Sequence, residues 1–217
     1  MSGSSLVIFD CDGVLVDSEP LQLQALLDVA ATVGFVLPLP EAIDRFRGAK
    51  MADVVRFIEE RIGRPTPADF VSSVRARQAE AFVRELRPVE GVRDAIDRLP
   101  VPRCVASSGP VEKIRLSLTI TGLLDRFGDR IFSSYEIGSW KPEPDLFLHA
   151  AKSMGASPGE TVVVEDSVLG VRAGVAAGMR VLGFADDARA AVLAGAGAEV
   201  FRAMSELPRL ILGPAAL

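Results

Sequence analysis

The chain has 217 residues, 49% of them apolar and 24% charged, with 24 Lys and Arg against 29 Asp and Glu for a net charge of −5. That length accommodates one large domain or a core with a smaller inserted unit. The acidic balance offers no broad basic field for a phosphate backbone or anionic lipid, so neither nucleic acid nor a membrane is an expected partner. The longest apolar runs, such as Leu6 to Phe9 and Thr161 to Val164, fall far short of the roughly 18 apolar residues a membrane span needs.

In chain order, Leu6-Val7-Ile8-Phe9 reads as a strand that ends at the polar break Asp10-Cys11-Asp12-Gly13. Residues 19 to 86 then carry helical periodicity and no convincing strand. Helices are expected at Pro20 to Val33, Pro40 to Phe46, Met51 to Ile62 and Pro67 to Leu86, punctuated by Gly34, Gly48 and Gly63-Arg64-Pro65. Three further strand-like runs follow, each closed by small or charged residues. Arg103 to Ala106 ends at Ser107-Ser108-Gly109-Pro110, Thr161 to Val164 at Glu165-Asp166-Ser167, and Arg180 to Phe184 at Ala185-Asp186-Asp187. Helical patterns at Pro110 to Thr119, Pro142 to Met154 and Ser167 to Gly178 lie between them. Continuously apolar strands alternating with helices imply an α/β fold with a Rossmann-like parallel sheet. The domains are therefore expected at 1–18 with 87–217 for the core and 19–86 for an inserted all-helical cap, hinged near Asp17 to Pro20 and Arg84 to Gly91. Gly170, Gly174 and Gly178 would line one helix face and let it approach the sheet closely, with Gly178 as the helix stop.

Composition narrows the chemistry. His149, expected as a partly buried helix residue, is the only histidine, so a multi-histidine metal centre and a paired-histidine phosphatase are excluded. Cys11 and Cys104 sit in apolar strand-like stretches and read as buried, reduced thiols, which suits a cytoplasmic protein. Met1 to Ser5 lacks the basic-then-apolar pattern of a secretory signal, in line with that location.

Ligands of open α/β sheets bind at the carboxyl ends of the strands, and there this chain concentrates its acids. Asp10 and Asp12 are two residues apart, so in extended geometry their carboxylates face one way, with Gly13 permitting a tight exit. With Glu165 and Asp166 they form an excess of hard oxygen ligands suited to Mg²⁺, which keeps several waters and usually joins a substrate phosphate. Lys141 adds a cation, directed by the extended preference of a residue before proline. Ser108 or Gly109 is expected to cap the helix near Pro110, leaving Ser107 for phosphate.

Asp10-Cys11-Asp12-Gly13-Val14, Ser107, Lys141-Pro142-Glu143-Pro144-Asp145 and Glu165-Asp166-Ser167 stand in an order that resembles the haloacid dehalogenase superfamily, in the branch with a helical C1-type cap that holds β-phosphoglucomutase, phosphoglycolate phosphatase and 6-phosphogluconate phosphatase. The resemblance runs over nearly the whole chain. It implies a Mg²⁺-dependent phosphomonoester hydrolase working through an aspartyl-phosphate. Asp10 would attack phosphorus, while Asp12 would protonate the leaving oxygen and then activate water. Ser107 and Lys141 would hold the phosphoryl oxygens, with Cys11, Gly13, Ser108 and Gly109 lining the phosphate loops. Asp166 would bind Mg²⁺ with Asp10 and the Asp12 carbonyl, and Glu165 would be a further ligand or an outer support. The implied partner is a small phosphorylated metabolite; no protein partner is implied. Arg47 and Lys50, in Arg45-Phe46-Arg47-Gly48-Ala49-Lys50, stand where this cap type carries its specificity loop and would pair a second anionic group, favouring a phosphorylated sugar acid.

Other readings explain less. A phospho-receiver domain has no helical insertion and places its second acidic pair before the lysine. A dehalogenase has no use for an acid at Asp12, because no alkoxide leaves. A phosphoglucomutase-like transferase shares Asp17-Ser18-Glu19 but carries a cap histidine where this chain has Gln22. A non-catalytic scaffold would have lost one of Asp10, Asp12, Lys141 or Asp166.

Overall fold

The computed structural model describes residues 5–213. Contacts divide the chain into a core unit, residues 1–16 with 88–217, and a second unit, Asp17–Arg87. The second unit takes in Asp17, Ser18 and Arg87 because the two crossing segments pair, the Asp17 amide donating to the Arg87 carbonyl at 3.0 Å.

The core unit is a six-stranded parallel sheet in the order β3-β2-β1-β4-β5-β6. The strands are β1 Leu6–Phe9, β2 Arg103–Ser107, β3 Ile131–Ser133, β4 Thr161–Glu165, β5 Arg180–Phe184 and β6 Glu199–Phe201. Sequence reading found four of these. Ile131–Ser133 and Glu199–Phe201 are three-residue edge strands, too short for an apolar run to show. All four residues of β1 are fully buried, as the middle of a sheet covered on both faces requires. The chain builds outward from β1 to β2 and β3, then returns to β1's other edge at β4, so strand order reverses beside β1. Such a reversal opens a crevice at the strands' carboxyl ends. Register makes β2, β1 and β4 finish together: Phe9 pairs with Val105 and with Val164, leaving Asp10 level with Ala106 and Glu165.

Twelve helices are seen among the described residues. The second unit holds α1 Glu19–Thr32, α2 Leu39–Phe46, α3 Met51–Ile62 and α4 Phe70–Glu85. Leu23, Leu26, Leu27 and Ala30 of α1 recur at helical spacing and join Val54, Ile58, Phe70 and Val74 in a core separate from that of the sheet. The core unit holds α5 Val92–Asp97, α6 Val111–Ile120, α7 Leu124–Phe127, α8 Ser134–Ile137, α9 Asp145–Ser153, α10 Val168–Ala176, α11 Asp187–Gly195 and α12 Leu207–Leu212. Its apolar cluster packs α9 and α10 on the sheet through Phe147, Ala150, Val171 and Ala173 against Ile8, Cys104 and Val163. No helix of the described residues is long and apolar enough to cross a membrane.

Three local expectations are corrected. α9 begins at Asp145, because Pro142 and Pro144 stand in the turn that precedes it. The residue at the start of α6 is Pro110, with no side-chain cap; the Ser107 hydroxyl instead takes the Gly109 amide at 3.2 Å. His149 is exposed, its ring edge-on to Phe132 with centroids 5.6 Å apart, because it lies on the outer face of α9.

Candidate active site

After β1 the backbone reverses over Asp10 to Val16. The Leu15 and Val16 amides return to the Cys11 carbonyl at 2.9 and 3.1 Å, and the Gly13 amide donates to Val16 at 2.8 Å. Gly13 is doubly constrained. Its φ of +75° suits glycine, and a Cβ there would lie 2.3 Å from Asp166 Oδ2. The turn and Asp166 are thus pressed together by the absence of a side chain.

Beneath it sits a buried charge cluster. Lys141 Nζ donates to Asp10 Oδ1 at 2.8 Å and to Glu165 Oε1 at 2.6 Å, and it lies 5.0 Å from the centre of the Phe147 ring. Glu165, fully buried, receives three more bonds on Oε2: the Asp166 amide at 2.9 Å, the Ser167 amide at 2.8 Å and the Ser167 hydroxyl at 3.0 Å. The same hydroxyl caps α10 by accepting the Gly170 amide at 3.0 Å. A Cβ on Gly170 would fall 1.8 Å from Glu165 Oε1, so that glycine makes room for the carboxylate. Gly174 does the same for Val181, at 2.6 Å from a would-be Cβ. The spacing of these glycines serves both the sheet and the site.

The electrostatics follow from burial. Asp10 is held well above the usual carboxylate range by loss of water, with Glu165 and Asp12 adding to the effect and Lys141 opposing it. Burial works against the charge on Lys141, but Asp10 and Glu165 more than offset it and hold the ammonium above the ordinary lysine value. Cys11 is buried beside these acids, and lost hydration pushes its thiol far up, so its sulfur stays protonated and unreactive.

The structure brings Asp10, Lys141, Glu165 and Asp166 together and places Gly13 against Asp166. Ser107 is buried at the end of β2, with Ser108 and Gly109 half-buried beyond it. Asp12 stands apart from the acidic cluster, its carboxylate bonded to Lys113 at 2.7 Å. In the second unit, Arg47 pairs with Glu19 of α1, and Lys50 is exposed at the start of α3. Trp140 packs edge-on against Tyr135.

Sequence reading missed two groups. Lys113 contacts Asp12, and Arg189 donates to the Asp166 carbonyl and stands 3.6 Å from its Oδ2. Both lie in the first turn of a helix, where the positive end of the dipole disfavours a cation.

The acidic cluster suits a cation. Asp10, Glu165 and Asp166 place ligand oxygens within 4.8 Å of one another, and three buried carboxylates exceed the charge that Lys141 and Arg189 return. Glu165 already serves four protein donors, so it supports the site from outside, and Asp10 and Asp166 are the acids suited to ligation.

The α/β fold carries buried acids and a lysine at the ends of its central parallel strands, and residues 5–178 match the model of the haloacid dehalogenase-like hydrolases, the family to which this chain belongs. Two curated relatives come from Escherichia coli K12. The 6-phosphogluconate phosphatase is 35% identical over 97% of this chain and 96% of its own length, and hexitol phosphatase B is 35% identical over 80% of each. Among solved structures, a haloacid dehalogenase family hydrolase of Deinococcus radiodurans R1 with bound phosphate and sodium is 30% identical, superposes with a TM-score of 0.79, and is matched over 99% of this chain and 100% of that one. The protein is a phosphoric monoester hydrolase of this family.

Proposed function

We propose that the protein hydrolyses a phosphorylated sugar or sugar acid such as 6-phosphogluconate, with Mg²⁺, through a phosphoenzyme on Asp10. The observation that carries this reading is the buried Asp10–Lys141–Glu165 cluster at the switch point of the sheet. Asp10 and Asp166 would hold Mg²⁺ with the Asp12 carbonyl; when bound, the ion neutralises charge on the transferring phosphoryl group.

This chain's residues then divide the work. Asp10 forms a bond to phosphorus as the ester oxygen departs with a proton from Asp12. Water next attacks phosphorus, Asp12 takes its proton, and the Asp10–phosphorus bond breaks to release phosphate. Lys141 opposes the loss of charge that burial imposes on Asp10 and aims its carboxylate, and Ser107 with the backbone amides of the Asp10–Gly13 and Ser107–Gly109 turns receives the phosphoryl oxygens. Arg47 of the helical unit exchanges Glu19 for the carboxylate of a sugar acid, since guanidinium binds either acid in the same geometry. Similarity to the 6-phosphogluconate phosphatase over almost the whole chain, against 80% for the hexitol phosphatase, favours the acid. Transfer in the manner of a phosphoglucomutase is the second reading; it is disfavoured by Gln22, whose amide donates to the Ser18 hydroxyl at 2.7 Å.

The test is phosphate release from a panel of sugar and sugar-acid phosphates with Mg²⁺, in wild type and Asp10→Asn. The variant should fold and be inert. If it keeps more than about a hundredth of the wild-type kcat, a deficit under roughly 3 kcal/mol, Asp10 is not the nucleophile.

A further inference from the structure

We propose that Lys113 is the residue that positions Asp12 as the base in the second half of the reaction, an inference that rests on the phosphatase reading above. Its Nζ lies 2.7 Å from Asp12 Oδ2 across 101 residues of sequence, with the two side chains 18% and 26% exposed. The local packing is built around this reach. Gly109 lies beside the lysine stem: a Cβ there would stand 3.4 Å from Lys113 Cδ, 3.6 Å from Nζ and 3.7 Å from Ser107 Oγ. Gly109 is itself held on both sides, its amide on Ser107 Oγ and its carbonyl on the Ser133 hydroxyl at 2.6 Å. Lys113 thus runs along a fixed glycine, past the phosphate serine, to the acid that must work on leaving oxygen and water.

Asp12, half-buried on its turn, is bonded to Lys113 as Asp10 is to Lys141, and Asp166 stands beside Arg189. Asp10 and Glu165 share Lys141, Asp166 has Arg189 and Asp12 has Lys113, and of these pairs the last holds the group that moves protons in the phosphatase reading. Lys113 thereby fixes where the Asp12 carboxylate stands when the phosphoenzyme is hydrolysed. In that step the water oxygen bonds to phosphorus, the Asp10–phosphorus bond breaks, and the proton passes to Asp12.

The experiment compares Lys113→Met, Lys113→Arg and Asp10→Asn with wild type on p-nitrophenyl phosphate, whose leaving group departs without a proton, by rapid mixing and in steady state. Lys113→Met should release about one p-nitrophenolate per enzyme in a fast burst and then turn over about ten- to a hundredfold slower than wild type, with Lys113→Arg restoring much of the rate. A merely structural lysine would not split the two half-reactions. An unchanged kcat, a rise in KM without a burst, or a loss that Lys113→Arg does not recover overturns the proposal. Should Asp10→Asn turn over, the parent reading has failed; an inert Asp10→Asn beside a burstless Lys113→Met means that only the role of Lys113 is wrong.

Discussion

The charges of the core unit and those of the helical unit obey different rules. In the core, Asp10 and Glu165 are buried and joined through one lysine, Lys141, the three coming from separate elements, and the two acids hold the lysine charged against its burial. In the helical unit, Arg47 and Glu19 pair half-buried, while other ion pairs lie on helix surfaces. Arg77 meets Asp28 at 3.1 Å with both exposed, and Arg45 and Arg61 rest over the Phe57 ring at 4.7 and 5.0 Å. Low dielectric makes the first set indispensable and water makes the second replaceable. Under the proposed function, phosphoryl transfer would fall to the first environment and recognition of what the phosphate is attached to would fall to the second.

That contrast is sharpest at Lys141. Lys141→Met leaves Asp10 and Glu165 buried without their cation, and should cost about 3–5 kcal/mol in denaturant unfolding and more than about a hundredfold in phosphate release. A loss below about 1 kcal/mol would place the core charges in the same class as the surface ones. Next comes Arg47, the helical-unit residue expected to matter. Arg47→Ala should raise KM for 6-phosphogluconate by about 1.5–3 kcal/mol in free-energy terms and leave p-nitrophenyl phosphate turnover nearly unchanged. Equal effects on both substrates, or a wild-type preference for neutral sugar phosphates, would remove the proposed carboxylate contact.

A smaller effect tests what the core does to a group with no partner. Burial pushes the Cys104 thiol up to about 12 from 9.0. Between those values the unfolded chain has lost a proton that the native state keeps, so the native state binds more protons and stability falls as pH rises through the window. Unfolding free energy should decline by about 1.4 kcal/mol per pH unit more steeply in wild type than in Cys104→Ala, measured from pH 9 upward. Parallel declines would show that the core tolerates this charge. The smallest effect is expected at Arg77→Ala, about 0.2–1 kcal/mol in a thermal melt; a larger loss would mean that the helical unit also relies on its ion pairs.

Much of this was legible because the informative residues sit where a pattern changes. Strands that are apolar throughout end abruptly at Asp10, Ser107 and Glu165, and the parallel register turns three distant sequence positions into one layer. Helices α1 to α4 showed themselves by the periodicity of Leu23, Leu26, Val54 and Ile58. What escaped was set by tertiary contact. The edge strand β6 has the half-exposed pattern of its position and no apolar run. Glu165 is indistinguishable in sequence from a ligand, and only the four donors around it show a supporting role. Lys113 reads as an ordinary helix lysine until Asp12 is seen opposite.

The carboxylate of Glu165 has one further consequence, for the timing of events rather than their chemistry. One oxygen faces Lys141 while the other gathers the Asp166 and Ser167 amides and the hydroxyl that starts α10. Opening the first turn of that helix therefore releases the lysine's partner in the same motion. Local opening that exposes these amides to solvent protons would therefore also loosen the charged centre, so the protection of the Asp166 and Ser167 amides from exchange should report how well that centre is assembled.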